Sequence, residues 1–203
     1  MTLIQPARGF RSSLDPLLLA SFTAPPFGRF VDIGCGTGAV AFLLASADEG
    51  SSGVGVEIQP RLARFAAAGA ARNPFASRVA ILHADARAAV GRDLLLPAGA
   101  FDLVASNPPY IAQREAGTLA REVVDHEPAI ALFGGDLGYE FYADLISRSA
   151  THLKPGGILV LELGHDSLPA VQPLLDAPAW TNIGVANDLA GIPRVLSAEH
   201  TPT

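Results

Sequence analysis

The feature that most constrains the fold is a glycine-rich stretch, Asp32-Ile-Gly-Cys-Gly-Thr-Gly38. It lies between an apolar run, residues 30–33, that predicts a buried strand and an Ala/Leu-rich run, residues 39–47, that predicts a helix. Glycines at a strand-to-helix junction permit a tight turn and let a ligand approach the backbone closely. The stretch therefore predicts an α/β fold with a ligand at the end of its first strand.

β-rich runs alternate with helical runs along the chain, which indicates a mostly parallel α/β sheet. The predicted strands are 30–33, 54–57, 79–82, 101–106 and 158–163, with two more in 180–198 that would form an antiparallel hairpin. The predicted helices are 14–22, 39–47, 61–72, 139–153 and 168–175. The polar segment 111–137 is too long for an ordinary connection and predicts a functional loop or lid.

Composition favours one soluble globular unit. The chain has 203 residues, of which 49% are hydrophobic, and no repeat or linker divides it. We therefore expect a single domain over residues 1–203, with residues 1–29 as an N-terminal segment and helix. The net charge of −6 argues against a broad basic surface that follows a phosphate backbone.

Cysteine and histidine usage predicts no metal site and no internal disulfide. Cys35 is the single cysteine, and the five histidines have no metal-ligand spacing. No signal peptide begins the sequence, and no apolar run is long enough to cross a bilayer. These features predict a cytoplasmic protein that does not bind membranes.

Acidic residues follow the next two predicted strands. Glu57 ends the second strand, about twenty residues after the glycines, where a carboxylate can accept hydrogen bonds from both ribose hydroxyls. Asp85 follows the third strand, where an adenine edge can be bound; it also suits the N-cap of a short helix that begins at Ala86. The glycine spacing alone, through Gly34, Gly36 and Ala39, fits a dinucleotide site as well.

The pattern Asp-x-Gly-x-Gly-x-Gly, with Glu57 and Asp85 after it, resembles the Rossmann-like S-adenosylmethionine-dependent methyltransferases. The resemblance implies a class I fold, which is a seven-stranded, mostly parallel sheet with helices on both faces. It also implies S-adenosyl-L-methionine as the cofactor, with its methionine part beside the loop and the two later acids on ribose and adenine. The cofactor-binding residues that we expect are Asp32, Gly34, Gly36, Gly38, Glu57, Asp85, Ala86, Asn107 and Phe10.

A second motif, Asn107-Pro108-Pro109-Tyr110, follows the fourth predicted strand and so lies at the same sheet edge as the glycines. Two prolines fix the backbone, and the Asn107 side-chain oxygen and the Pro108 carbonyl can hold an NH2 group between them. These acceptors would orient a poorly nucleophilic amide or exocyclic amine toward the methyl group, while Tyr110 provides a flat wall. The motif resembles the methyltransferases that modify such nitrogens.

An ordered series in the second half resembles the HemK-type protein-(glutamine-N5) methyltransferases, which modify the Gly-Gly-Gln loop of peptide-chain release factors. The series is Asn107 to Ile111, Glu122 to Gly135, Gly138 to Tyr142, Leu153 to Gly157, Leu161 to Gly164 and Asn187 to Val195. The resemblance implies a release-factor glutamine as the protein substrate, held by Asn107 and Pro108, with residues 127–135 beside the site. Asn107, Pro108, Pro109 and Tyr110 are thus the expected catalytic residues.

The N-terminal end departs from that family, whose members usually carry a helical domain ahead of the catalytic one. An accessory protein in place of that domain is one expected partner. Residues 5–15 instead resemble the first segment of enzymes that methylate adenine N6 in transfer RNA, so RNA is the alternative substrate. Phe10 fits closure over the cofactor and a core aromatic equally well. A cofactor-binding protein without transfer activity is the remaining alternative.

Overall fold

The computed structural model describes residues 1–7, 15–23, 25–86, 99–118 and 132–201. Its strands are β1 (Arg29–Ile33), β2 (Ser52–Glu57), β3 (Val79–His83), β4 (Phe101–Ser106), β5 (Ile111–Ala112), β6 (Phe133–Gly135), β7 (Leu153–Glu162), β8 (Trp180–Asn187) and β9 (Pro193–His200). Its α-helices are α1 (Asp15–Ser21), α2 (Ala39–Ala47), α3 (Pro60–Ala70), α4 (Glu140–His152) and α5 (Leu168–Val171). Residues 113–118 and 172–175 form 3-10 helices.

Seven of these strands form one sheet in the order β3-β2-β1-β4-β7-β9-β8. The five strands from β3 to β7 are parallel, and β9 pairs antiparallel with both β7 and β8. The expectation of a seven-stranded, mostly parallel sheet that ends in an antiparallel hairpin is confirmed. The strand order reverses between β1 and β4, and the crevice at such a point is where open α/β sheets bind their ligands.

Alternating side chains on the central strands build a core on each face of the sheet. On one face, Phe30 and Leu103 pack with residues of α1 and α2. On the other face, Val31 and Val104 pack with residues of α4, among them the fully buried Tyr142. Helices therefore cover both faces, as expected, and the carboxyl ends of the parallel strands remain the place where polar loops meet.

The structure differs from the predicted elements in two places. Strand β7 begins at Leu153 rather than near Ile158, because Leu153 pairs with Phe101 and Ile158 pairs with Leu103, so that the Pro-Gly-Gly residues bulge within the strand. The segment predicted as a loop contains a second, two-stranded parallel sheet, β5 with β6. Short glycine-containing strands of this kind lack the alternation by which strands are recognised in a sequence.

Among the described residues, none of the helices combines the length and apolarity that crossing a membrane requires.

Candidate active site

The glycine loop and the Asn-Pro-Pro-Tyr turn meet at the switch point of the sheet. Ile33, the last residue of β1, pairs with Ser106, the last residue of β4. The residues that follow them, Gly34 and Asn107, are therefore neighbours, and a Cβ atom built on Gly34 would lie 3.9 Å from the Asn107 carbonyl oxygen. Adjacent parallel strands thus bring together two motifs that are 73 positions apart in the chain.

The three glycines of the loop have different structural roles. Gly34 is exposed at φ +72° and presents bare backbone, whereas the rest of the loop is buried. Gly36 donates its N–H to Glu57 Oε2 at 2.9 Å. Gly38, at φ +88°, leaves room for an aromatic ring, because a Cβ atom there would lie 2.7 Å from Phe42. Gly34 is thus the glycine of this loop whose exposed backbone a ligand can approach.

Two buried carboxyl groups, Asp32 and Glu57, lie behind the loop. Asp32 Oδ2 accepts the N–H of Ala41 at 3.0 Å, which ties the end of β1 to the first turn of α2. Burial raises the Asp32 pKa from an ordinary value near 3.8 to about 7, and the charge of Glu57 acts in the same direction. Asp32 therefore binds a proton more tightly than an exposed aspartate does.

Glu57 closes the other side of the loop. Its Oε2 accepts from Gly36 and its Oε1 accepts the N–H of Gln59 at 2.7 Å. Burial raises the pKa of this carboxyl group, against the opposing effect of these backbone hydrogen bonds. Each carboxylate oxygen has a second lone pair, so both remain able to accept a hydroxyl hydrogen bond from a ligand.

A cavity of about 560 Å³ opens in front of Gly34. Its lining residues are Ile33, Gly34, Val56, Ile58, Ala84, Asp85, Ala86, Pro109, Phe133 and Phe141. The walls are mostly apolar and aromatic, with Asp85 as a polar group at the β3 end, which is the composition of small-molecule sites. S-adenosylmethionine fits this arrangement in its chemistry, because bare backbone at Gly34 adjoins an apolar and aromatic cavity with a carboxyl group, Asp85, at one end.

The Asn-Pro-Pro-Tyr turn forms the opposite wall. Pro109 lines the cavity, Pro108 is buried, and Asn107 is half-buried beside Gly34. The ring of Tyr110 lies against the backbone of Gly164, just beyond the end of β7. Four of the described motif residues thus line this cavity, namely Gly34, Asp85, Ala86 and Pro109, and Asn107 lies next to Gly34.

Other predicted residues are buried behind the cavity or lie outside the residues that the structure describes. Asp32, Gly36, Gly38 and Glu57 are buried and support the loop from within the fold. Phe10 and residues 127–131 lie outside the described residues. The described residues also contain no group of three His, Cys, Asp or Glu side chains that could hold a metal ion.

Sequence reasoning missed the aromatic part of the cavity wall. Phe141, in the first turn of α4, and Phe133, in β6, both line the cavity. Phe133 lies within the segment that the resemblance placed beside the site, but no role was assigned to it. The glycine-flanked run Leu132-Phe133-Gly134 and the aromatic cluster Tyr139 to Tyr142 were the available signals.

Comparison with protein families identifies the family of this chain. The family model for the methyltransferase small domain matches residues 13–138, which is more than half of the chain. The match includes the glycine loop, Glu57, Asp85 and the Asn-Pro-Pro-Tyr turn.

Two curated relatives carry the name release factor glutamine methyltransferase. The protein of Bradyrhizobium diazoefficiens is 38% identical over 86% of this chain and 57% of its own length. The protein of Cereibacter sphaeroides is 36% identical over 93% of this chain and 67% of its own length. The chain therefore spans between about half and two thirds of the length of these relatives.

A solved structure, a methyltransferase from Pyrococcus furiosus, superimposes with a TM-score of 0.71. The alignment covers 98% of this chain and 89% of that protein, at 19% sequence identity. At this identity the likeness concerns the fold alone.

Proposed function

Because this chain belongs to the methyltransferase small-domain family, we propose that it transfers a methyl group from S-adenosylmethionine to the side-chain amide nitrogen of a glutamine in a protein. The observation that carries the proposal is the contact between the two motifs at the switch point of the sheet. A ligand in front of Gly34 and an acceptor held by Asn107 would be in reach of one another, since these two residues adjoin.

Residues at the cavity and just behind it would hold the cofactor. At the cavity, Gly34 offers bare backbone to the methionine part, and Asp85 with Ala86 lies where the adenine edge would be. Behind the loop, Glu57 would accept hydrogen bonds from the ribose hydroxyls through its remaining lone pairs. Asp32 would act from beneath by fixing the loop to α2. Phe10 is proposed to close over the cofactor. When bound, S-adenosylmethionine supplies an electrophilic methyl group on a sulfonium.

The acceptor side has to overcome the poor nucleophilicity of an amide nitrogen. We assign the two hydrogen-bond acceptors for its NH2 group to the Asn107 side-chain oxygen and the Pro108 carbonyl, on a backbone that two prolines make rigid. As the nitrogen–methyl bond forms and the methyl–sulfur bond breaks, a neutral thioether would leave and positive charge would develop on the nitrogen, where these two oxygens would stabilise it. The nitrogen then loses one proton to water, so no strong base is required.

The choice of a protein glutamine over RNA is supported by the relatives and by charge. Two relatives that share more than a third of their aligned residues with this chain are named for release factor glutamine methylation. The net charge of −6 is unlike that of an enzyme of this size that grips a phosphate backbone. We further propose that the protein acts in the cytoplasm, where release factors are found, and that an accessory protein can assist substrate binding.

Transfer of labelled methyl groups from S-adenosylmethionine tests the proposal. Purified release factor and unmodified transfer RNA are offered in parallel to the wild type and to Asn107→Ala. We expect label on the release factor, lost when its glutamine is replaced and reduced at least about 100-fold in Asn107→Ala, because the variant lacks an acceptor that orients the nitrogen.

Asn187→Ala is the matched control, since Asn187 is an exposed asparagine at the end of the edge strand β8. It should transfer label at the wild-type rate. Label on the transfer RNA alone would replace glutamine with adenine as the acceptor. Cofactor binding without transfer to either acceptor would overturn the proposed activity.

A further inference from the structure

A short segment at the end of β7, residues 162–164, forms a platform beneath the acceptor wall, and backbone hydrogen bonds hold it from two sides. The Glu162 carbonyl accepts from the Tyr142 hydroxyl at 2.8 Å, and the Gly164 N–H donates to that same hydroxyl at 3.3 Å. The Leu163 N–H donates to the Arg194 carbonyl at 2.8 Å, and the Leu163 carbonyl accepts from Arg194 Nη1 at 3.3 Å. The platform is thus held from α4 and from β9 at once.

Tyr142 is the support of this platform on the α4 side. Its side chain is fully buried, and its hydroxyl is both donor and acceptor to backbone atoms two residues apart. Burial raises the pKa of the phenol well above its usual range, so the hydroxyl keeps the proton that it donates to Glu162. A phenylalanine in place of Tyr142 would fill the same space, but it would leave the Glu162 carbonyl and the Gly164 N–H without their hydrogen-bond partner.

The ring of Tyr110 lies directly on the platform. A Cβ atom built on Gly164 would be 2.5 Å from Tyr110 Cδ2 and 2.7 Å from Tyr110 Cγ, which real Cβ atoms do not tolerate. The φ angle of Gly164 lies outside the left-handed region, so its backbone could accept an alanine. Two side chains therefore require the absence of a Cβ atom at Gly164, the Tyr110 ring first and then the Ser167 hydroxyl at 2.8 Å, whereas the local backbone does not.

Two further glycines hold the turn from the other side. A Cβ atom on Gly138 would lie 2.7 Å from the Tyr110 carbonyl oxygen, and one on Gly134 would lie 2.5 Å from the Pro109 carbonyl oxygen. The backbone of Pro109 and Tyr110 is thus enclosed by one glycine-rich segment while the Tyr110 ring rests on another. A ring that rests on the platform, on a backbone that these glycines hold in place, defines one plane for whatever stacks against it.

We propose that Gly164 and Tyr142 are positioning residues for methyl transfer, which act by holding the Tyr110 ring in the plane that a planar acceptor amide requires. The inference rests on the proposed function and adds to it residues that touch neither cofactor nor acceptor. A displaced ring would let the acceptor tilt away from the line of transfer, and displacement of about 1 Å is enough to lower rates about 100-fold.

The primary test is Gly164→Ala, measured by steady-state transfer to release factor and by calorimetric binding of S-adenosylmethionine. We expect kcat to fall about 10- to 100-fold, while the Kd of the cofactor changes less than about twofold, because the cofactor cavity is lined by other residues. Gly117→Ala is the matched control. Gly117 also has an ordinary φ, and none of the described atoms lies within 4 Å of its Cβ position.

A double-mutant cycle with Tyr110→Ala separates positioning from general damage to the fold. In the Tyr110→Ala background the ring nearest to the alanine methyl is gone, and the Ser167 hydroxyl, 2.8 Å from the Cβ position, can rotate away, so Gly164→Ala should lower kcat less than about twofold there. The same cycle, read by thermal unfolding, should show that most of the destabilisation by Gly164→Ala disappears with the ring. Tyr142→Phe provides an independent variant, with kcat expected to fall several-fold at unchanged cofactor Kd.

The outcomes distinguish this inference from the proposed function. If the wild type methylates release factor and Gly164→Ala does so equally well, the positioning role is overturned while the activity stands. A loss that is the same with and without the Tyr110 ring would also overturn it. If the wild type transfers no methyl group to release factor, the proposed function fails and the positioning role fails with it.

Discussion

Ser106 donates its hydroxyl to the carbonyl oxygen of Ile33 at 2.8 Å, in a site where the serine is completely buried. The two residues are the last of β4 and β1, and each precedes one motif of the site. This hydrogen bond is therefore a direct link between the backbone that carries the glycine loop and the backbone that carries the Asn-Pro-Pro-Tyr turn.

Removal of that link by Ser106→Ala should loosen both motifs. We expect a loss of about 1 kcal/mol in the free energy of unfolding, together with weaker cofactor binding and slower transfer. Urea unfolding and calorimetric titration measure these effects. Ser197→Ala is the control, because Ser197 makes a longer bond of 3.4 Å to the Gly184 carbonyl at the far edge of the sheet. It should leave cofactor binding unchanged.

Alanine substitutions at Gly34 and Gly38 should have separable effects. Both positions have φ in the left-handed region, so each variant carries strain of about 1–2 kcal/mol. Gly38→Ala also forces a methyl group into the Phe42 ring, which adds about 1–3 kcal/mol of overpacking. Gly34→Ala instead places its methyl group in the cavity, so it should be the more stable variant but bind the cofactor at least about tenfold more weakly. Equal cofactor affinities for the two would contradict this assignment.

The raised pKa of Asp32 predicts that the free protein loses stability as pH rises. Folding favours the protonated carboxyl group, so its stabilising effect is complete below the unfolded pKa near 3.8 and is lost as pH rises through about 7. The free energy of unfolding should therefore fall between about pH 4 and pH 7. Asp32→Asn should flatten this slope, because the amide oxygen can still accept the Ala41 N–H but the side chain does not ionise.

Asp102→Asn is the contrast for that experiment. Although burial opposes it, hydrogen bonds from Lys154 and the Arg29 N–H lower the Asp102 pKa, so the group is ionised throughout the same pH range. Asp102→Asn should lower the free energy of unfolding without changing how that free energy depends on pH. If the free energy of unfolding of Asp32→Asn still fell with pH, the pH dependence would belong to another group. Glu57 is the first candidate, since burial also raises its pKa.

Arg78 should contribute to stability and not to activity. Its guanidinium donates hydrogen bonds to the carbonyls of Ala45, Asp48 and Ser51. These carbonyls lie at and just after the C-terminal end of α2, at the edge of the sheet opposite the site. Arg78→Met should lower the free energy of unfolding by about 1–3 kcal/mol, because these carbonyls lose a charged hydrogen-bond donor. The affinity for the cofactor should stay unchanged. Arg72→Met is the control, as its exposed side chain bonds only to Ala68 of its own helix among the contacts described.

The parts of the site that are local in sequence were predictable, and the parts that depend on distant packing were not. The glycine loop, Glu57 and the Asn-Pro-Pro-Tyr turn each follow an apolar strand, so parallel pairing alone brings them to one edge. The contact between Tyr110 and Gly164 joins residues that are 54 positions apart in the chain. It depends on packing around α4, and no periodic pattern in the sequence predicts such a contact. The β5–β6 pair was not predictable for a related reason. Two of the three residues of β6 are glycines, Gly134 and Gly135, so no side chains show the alternation of apolar and polar residues that is typical of a strand.

Arg194 lies in β9, the last strand of the described chain, yet β9 sits inside the sheet between β7 and β8. The platform beneath Tyr110 depends on both the carbonyl and the guanidinium of this residue. During synthesis, the glycine loop and its supporting acids can assemble while the ribosome is still making the second half of the chain. The acceptor side cannot be completed until residues 193–200 have emerged and inserted, so a nascent chain would gain the cofactor half of its site before the half that selects what is modified.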